Sequence, residues 1–356
     1  MVSFFNKNIN IGNITVGEKH PPFIIAEMSG NHNQSLKRAL KIIEEAKKCG
    51  ANAIKLQTYT PDTITLNIKN NEFKIKDKKS LWSGSYLYQL FKKAYTPWEW
   101  HLPIMERAKE LNMICFSTPF DESAVDFLEK LNVPAYKIAS FENNHIPLIK
   151  KIAKTKKPII ISTGLAKISE ITELVNLIKE AKCKNLILLK CTSNYPALPK
   201  DANLKTIPFL KKKFNCQIGL SDHTLGIGVA TASVALGASV IEKHFTLKKS
   251  DGGVDSAFSL EPHELKNLVI ETRKAWEGLG KIFIGPTSNE INSLQFRRSI
   301  YVSNDIKKGF KFDKKNISVI RPANGLHPKY YSKIIGKKAK KDLIKGKPLS
   351  LKDIEK

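Results

Sequence analysis

Eight short apolar runs recur along this chain of 356 residues, and each stops at a polar or charged residue. In order they are FIIAEM, with Glu27; AIKLQ, with Lys55 and Gln57; MICFST, ending at Thr118; AYKIAS, with Lys137 and Ser140; PIIIST, with Ser162; LILLKCTS, ending at Ser193; QIGLSDH, ending at His223; and SVIEKH, ending at His244. Helical stretches separate the β-like runs. Parallel neighbours require such a crossover, and it buries both faces of the sheet, so the strands read as continuous apolar segments rather than alternating ones. The pattern predicts an α/β fold, a (β/α)8 TIM barrel. In that architecture the polar stops converge on the rim at the strand C-termini, where chemistry sits.

A barrel takes about 250 residues, which leaves room for a second, smaller unit. We expect a barrel domain over residues 1–284, a polar connector over 285–296 with a Gly-Pro break, and a small domain over 297–356. The last contains short β-like runs (SIYVS, ISVI) between Gly and Pro turns. IGNITVG, near the N-terminus, reads as a short leading strand or hairpin. In SLKRALKIIEEAKKCG, Leu36, Leu40, Ile43 and Ala46 share a face, with Ser35 as N-cap and Gly50 as the stop. WEWHLPIMERAKELN, VDFLEKL, HIPLIKKIAKT, ISEITELVNLIKEAK, IGVATASVALG and HELKNLVIETRKAWEGLG supply the remaining helices. Residues 61–98 read as a long irregular loop, and such a loop on the active rim of a barrel acts as a lid.

Hydrophobic residues make up 42% of the chain, yet no stretch is long and apolar enough to span a bilayer, and the N-terminus lacks the basic-then-apolar order of a secretory signal. A soluble cytoplasmic protein, without a membrane partner, is the expectation. Cys49, Cys115, Cys183, Cys191 and Cys216 are odd in number and lack CxxC spacing, which suits reduced buried thiols. Cys191 ends a strand, where a nucleophile could stand, but a buried Cys is more often filler. The net charge of +26 raises a nucleic-acid reading. From Arg297 to Lys356 there are 18 Lys and Arg against 5 Asp and Glu, which is half of that excess. It is spread over turns without interleaved stacking aromatics, as on a solvated surface, so no nucleic-acid partner is expected. An anionic small substrate still gains from the positive field.

His223 and His244 stand at or just past the ends of adjacent strands, within reach of one ion, and neutral imidazole is a common ligand for divalent metals. Two ligands alone leave an open site, which water and a substrate oxygen would complete. Glu27 ends the first strand, where a buried carboxylate is costly without a partner or a task. It is a candidate general acid or base, with a salt bridge to a rim lysine as the bland alternative. Lys55 and Lys137, on the second and fourth strands, suit either neutralisation of phosphate and carboxylate or Schiff-base formation. The hydroxyls of Thr118, Ser140, Ser162, Ser193 and Ser221 favour the first use, since each can donate to an oxyanion.

These residues resemble the phosphoenolpyruvate-condensing synthases of sialic acids. The resemblance spans essentially the whole chain, through AEMSGNHN, IKLQTY, FSTPFD, YKIAS, ISTG, CTSNYP, GLSDHTLG, EKHFTL, SLEP and RPANGL in the family's order. It implies a (β/α)8 barrel followed by a small antifreeze-like (SAF) domain, in a domain-swapped homodimer. IIAEMSGNHN and GGVDSAFSLEP look most like the branch of that family that makes pseudaminic acid; sialic acid synthases typically carry a GPDH-type segment where this chain has GVDSAF.

By resemblance, His223 and His244 hold Mn2+, with Mg2+ or Co2+ as alternatives. Lys55, Thr118, Lys137, Ser140, Ser162, Ser193 and Ser221 would bind phosphoenolpyruvate, with Asn194 competing with Ser193 for that contact. Glu27, Gln57, Tyr195 and Asp255 would face an N-acetylated amino sugar, and Arg321 would reach into the site of a second copy. The sugar implied is 2,4-diacetamido-2,4,6-trideoxy-L-altrose, condensed to a nine-carbon 2-keto acid for surface glycan or flagellin glycosylation. Phe258, Ala257 or Tyr195 would supply a niche for its 6-methyl group. The alternatives are a legionaminic or N-acetylneuraminic acid synthase, a Schiff-base aldolase on Lys55 or Lys137, and a basic polyanion-binding protein. A metal-dependent barrel hydrolase fits less well, since no HxH ends the first strand.

Overall fold

The structure, a computed structural model, describes residues 3–355. The chain divides after Gly280 into two compact units. The first opens with an antiparallel hairpin, β1 (Ile9–Ile11) and β2 (Ile14–Val16). Eight parallel strands follow: β3 (Phe23–Glu27), β4 (Ala53–Thr58), β5 (Ile114–Pro119), β6 (Tyr136–Ile138), β7 (Ile159–Ser162), β8 (Leu186–Cys191), β9 (Gln217–Ser221) and β10 (Val240–His244). They close in chain order, β10 returning to β3, so each of the eight runs is a strand of one barrel.

Strand side chains alternate between faces, and here the two faces carry different residues. Phe23, Ile25, Ala53, Ile114, Phe116, Ile160 and Val240 pack together inside the barrel with Ile9, Ile11 and Val16, so the hairpin corks the N-terminal end. Ile24, Ala26, Ile54 and Leu56, on the alternate positions, pack outward into the helix layer. Continued two residues at a time, the inward row turns polar: Glu27, Lys55, Gln57, Thr118, Lys137, Ser162, Ser221, Glu242 and His244. The register sets His244 beside Glu27, Glu27 beside Lys55 and Gln57 beside Thr118. Gly219 lies where the interior has no room for a side chain, since a Cβ there would collide with the Val240 carbonyl and lie 2.6 Å from Leu189 Cδ2.

The first helix, Leu36–Lys48, is capped by Ser35, whose hydroxyl accepts from the Arg38 N–H at 3.3 Å, and Gly50 follows its end at φ +90°. Ala39, Ile42, Ile43 and Ala46 form its buried stripe, while Leu36 and Leu40 are half-buried beside it. The other expected helices form over His101–Glu110, Glu122–Lys130, Ile146–Lys154, Ile168–Glu180, Gly228–Ala235 and Pro262–Leu279. One more, Thr206–Phe214, lies between β8 and β9. Its apolar stripe is only Ile207, Leu210 and Phe214, interrupted by Pro208 and three lysines, a pattern too sparse to read from periodicity. The insertion after β4 is also more ordered than expected. It holds a capped turn, Pro61–Ile64, in which Thr60 and Thr63 bond reciprocally, and a helix, Leu87–Ala94.

The second unit, from Lys281, holds a 3-10 segment, Ser288–Phe296, within the stretch the sequence suggested as a polar connector. Antiparallel strands β11 (Ser299–Val302) and β12 (Ile317–Ile320) follow. Its core joins Ile300, Val302, Ile306, Phe312, Ile317 and Leu343. Asp353, almost fully buried, accepts from the Ser350 N–H and from Lys347 and tethers the C-terminal turn. Among the described residues no helix is long and apolar enough to cross a membrane.

Candidate active site

The polar inward row opens into a cavity of about 510 Å³ at the strand C-termini. Of the residues singled out in the sequence, Glu27, Lys55, Gln57, Lys137, Ser140, Ser162, Tyr195, Ser221, His223, His244 and Asp255 line it. Thr118 does not. It is fully buried behind Lys55, whose ammonium donates to its hydroxyl at 3.0 Å. Ser193 is half-buried at the edge, its Oγ 3.8 Å from Cys191 Sγ, whereas Asn194 is exposed, which favours Ser193 over Asn194 as the inward contact. Arg321 lies on the small unit and is exposed.

Four buried charges make the floor. Glu27 pairs with Lys55 and accepts from Gln57 Nε2 at 3.2 Å. Lys137 donates to Ser162 Oγ at 2.7 Å and lies 3.4 Å from Glu242, which is itself 4.0 Å from Lys55. Ser221 donates to the same Glu242 carboxylate at 3.3 Å. Burial pushes Glu27 up to about 7, against the pull of Lys55 and with a push from Glu242. Burial also drives Lys137 below its ordinary value, while Glu242 resists that shift. For Glu242 itself, the neighbouring Lys137 and Lys55 outweigh burial and keep it an anion. A carboxyl near neutrality beside fixed cations is equipped to exchange a proton with a bound molecule.

One wall is built for an oxyanion. Ser140 Oγ is buried without a hydrogen-bond partner. Next to it Gly164 presses its backbone so close that a Cβ would collide with Ser193 Oγ and lie 2.6 Å from Ser140 Oγ. A buried hydroxyl left without a partner in a cavity lined by buried lysines suits a phosphate or carboxylate oxygen.

The imidazoles of His223 and His244 face each other with ring centroids 5.4 Å apart. His223 Nδ1 bonds the Thr192 carbonyl at 2.9 Å, which leaves Nε2 available. His244 Nδ1 is buried without a partner, 4.0 Å from Asp255, and burial with the nearby His223 keeps this ring neutral. A neutral, orphaned imidazole opposite a second one fits a divalent cation. Among the described residues no cluster of three or more His, Cys, Asp or Glu ligands forms, so such an ion would keep positions for water and substrate.

Tyr195 stacks obliquely on His223 at 4.4 Å, and Trp82, from the insertion, tilts against Tyr195 at 5.6 Å while its indole N–H donates to the Val254 carbonyl at 2.9 Å. The methyl niche expected at Phe258 or Ala257 is not there. Phe258 packs edge-on to His244 at 4.8 Å, outside the cavity lining, and Ala257 is exposed. Of the three candidates only Tyr195 faces the cavity. The apolar wall is instead Tyr59, Ile64, Phe91 and Phe120, with Tyr59 meeting the Phe91 and Phe120 rings edge-on at 5.8 and 5.0 Å.

Sequence reasoning missed Glu242, Glu142 and Ser29, which also line the cavity. Glu242 was within reach, since it precedes His244 by two positions and strand alternation puts both on one face. Ser29, which donates to Asp255, and Glu142, pushed up to about 7 by burial, sit in 3-10 turns without a periodic signal. Cys191 also lines the cavity, 3.9 Å from His223 Nδ1; despite burial, which raises it, the contact with His223 brings its thiol down to about 7.

Comparison with known proteins places this geometry. Residues 42–283 match the NeuB family and residues 297–355 match the SAF domain. A pseudaminic acid synthase of Campylobacter jejuni is 47% identical over 98% of this chain and 100% of its own. One of Helicobacter pylori is 44% identical over 94% of this chain and 98% of its own. Among solved structures, an N-acetylneuraminic acid synthetase from Leptospira borgpetersenii in complex with citrate superposes with a TM-score of 0.72 at 36% identity, covering 82% of this chain and 96% of that one. A parallel barrel with this rim, followed by a SAF domain and matched along nearly its full length, belongs to the NeuB family.

Proposed function

We propose that this chain is a pseudaminic acid synthase, a transferase that condenses phosphoenolpyruvate with 2,4-diacetamido-2,4,6-trideoxy-L-altrose and water to give pseudaminic acid and phosphate. The observation that carries the reading is the lattice of Lys55 and Lys137 interleaved with Glu27 and Glu242, facing two imidazoles in one cavity. The likeness to two pseudaminic acid synthases above 40% identity supports the choice of sugar over the legionaminic and N-acetylneuraminic alternatives.

Lys55 and Lys137 offset the charge of the phosphate and carboxylate, and Ser140, Ser162, Ser193 and Ser221 donate to their oxygens. Thr118 holds Lys55 in place from behind. His223 and His244 would hold a divalent cation, Mn2+ by preference, which when bound supplies Lewis acidity toward the sugar aldehyde. Gln57, Tyr195 and Asp255 orient the open-chain sugar so that its aldehyde carbon meets C3 of phosphoenolpyruvate. Water captures C2 as the new C–C bond forms. Glu27 then moves a proton, to the new alkoxide or from that water, and C–O cleavage releases phosphate. Trp82 and the wall of the insertion exclude bulk water, and Arg321 of a second copy completes the sugar side in a homodimer. All five cysteines are free and buried, which supports a cytoplasmic setting.

The depressed Lys137 gives the Schiff-base aldolase its one supporting observation. Against it, the Lys137 ammonium is engaged by Ser162 Oγ and the Ile138 carbonyl, with Glu242 beside it. A phosphate-release assay with phosphoenolpyruvate and a panel of amino sugars decides. Turnover is expected with the diacetamido-trideoxy sugar, lost on chelation and restored by Mn2+, and lost in Glu27→Gln with the fold intact. Metal-independent turnover, or covalent trapping by borohydride, would overturn the reading.

A further inference from the structure

The His223–His244 pair depends on a turn that lies past the end of the β9–β10 ladder. The β9–β10 ladder ends with Ser221 opposite Glu242. Past it one backbone bond to β10 remains, Asp222 N–H to the Glu242 carbonyl at 2.9 Å, with Ala197 N–H donating to the His223 carbonyl at 3.0 Å on the other side, and the chain then turns through His223 toward Gly226 at φ +71°. The Thr192 carbonyl and Ala197 hold His223 from the β8 side. From the β10 side the turn is held by Lys243, which lies between Glu242 and His244 and so faces the opposite side of the strand from them. Lys243 is 1% exposed and does not line the cavity. Its ammonium donates to Asp222 Oδ2 at 2.8 Å, to the Thr224 carbonyl at 2.7 Å and to the Gly226 carbonyl at 2.8 Å. Those are all three donors of an ammonium, spent on the residues that flank His223. Asp222 closes the ring with its other oxygen, which accepts from the Thr224 N–H and hydroxyl at 3.0 and 2.8 Å.

We propose that Lys243 is a positioning residue for the metal pair, clamping the turn of residues 222–226 so that the His223 imidazole is held opposite His244. This rests on the reading that His223 and His244 hold the cation. One strand thereby supplies a ligand at His244 and, from the adjacent residue on its other face, fixes the partner ligand on the neighbouring strand. Supporting groups behind metal ligands typically set affinity by about 10- to 100-fold. The expected effect of losing the clamp lies in that range.

The test is Mn2+ affinity, read from the free-ion signal in electron paramagnetic resonance, on the full chain. Wild type is expected to bind, and His223→Ala to lose binding. Lys243→Met is expected to raise the Mn2+ Kd at least about 10-fold while phosphoenolpyruvate affinity, measured separately by tryptophan fluorescence, stays within about twofold. Because Lys243→Met leaves Asp222 buried and unpaired, Asp222→Asn serves as the second variant. It keeps the shape of the turn and an acceptor oxygen for Thr224, and turns an NH2 toward the Lys243 ammonium in place of Oδ2, so that the Asp222 arm of the clamp is lost while the two carbonyl arms remain; a smaller rise in Kd of the same sign is expected. Folded Lys243→Met, or Asp222→Asn should the first not fold, with wild-type Mn2+ affinity would overturn the proposal. Undiminished Mn2+ binding by His223→Ala would instead remove the metal reading beneath it, and the clamp with it.

Discussion

Gly164 contributes to the site through an atom it lacks. Its backbone meets Ser140 and Ser193 so closely that a methyl group must displace both hydroxyls, and both are the ends of small side chains that can rotate away. Gly164→Ala is therefore expected to fold, with an unchanged melting temperature, and to lower kcat/KM for phosphoenolpyruvate by about 100-fold, as for loss of a pre-placed oxyanion donor. The KM for the sugar should stay constant; a variant with wild-type kcat/KM would remove these hydroxyls from the anion site. Glycine 164 carries no chemistry of its own, and in the sequence it was visible only inside the ISTG string. Glu242 was hidden differently. It stands two positions before His244 and on the same face, yet its partners Lys55 and Lys137, far away in sequence, arrive beside it only in the folded barrel.

At the scale of elements, the eight strands were legible because both faces of a parallel sheet are buried, so each strand is a dense apolar run with an abrupt polar stop. The helix Thr206–Phe214 and the ordered parts of the 61–98 insertion were not, because their stripes are three or four residues long and gain order from packing. Two buried histidines stand at the base of that insertion. His101 bonds Thr58 Oγ1 at 2.8 Å, and His32 bonds Thr96 Oγ1 at 3.2 Å. Burial lowers both to about 4, from 6.5. The unfolded chain thus binds protons more readily between those values, so stability is full above pH 6.5 and is lost as the pH falls toward 4, by about 3 kcal/mol per histidine. Urea unfolding at pH 7 and 4.5 is expected to show this loss, and His101→Asn, which keeps a hydrogen-bonding side chain, should reduce it. An identical pH slope in wild type and variant would show that His101 does not titrate this way.

For the whole molecule, the proposed assignment of Arg321, an exposed residue of the small unit, to another copy's cavity has a direct consequence. Glu27→Gln and Arg321→Ala should each be inactive alone. Mixed and allowed to exchange subunits, they should recover about a quarter of wild-type activity, since half of the dimers are then mixed and each carries one intact site. No recovery, with exchange verified by mass, would confine each site to a single chain. The small unit itself was legible as Gly and Pro turns around two β runs, but the buried Asp353 that ties its C-terminal turn through Ser350 and Lys347 is a tertiary arrangement that no local pattern announces.

The hairpin that corks the barrel also sets the order of traffic. With Ile9, Ile11 and Val16 sealing one end, the cavity opens at the strand C-termini, and Lys55 and Lys137 on its floor are 3% and 2% accessible. On the proposed assignment, phosphoenolpyruvate seated on these lysines arrives before the sugar closes the way above it, and phosphate, formed in the same seat, leaves after the nine-carbon acid. An enzyme so assigned works as a stack, last in and first out, and the expected kinetic sequence follows from the seal at the far end from the chemistry.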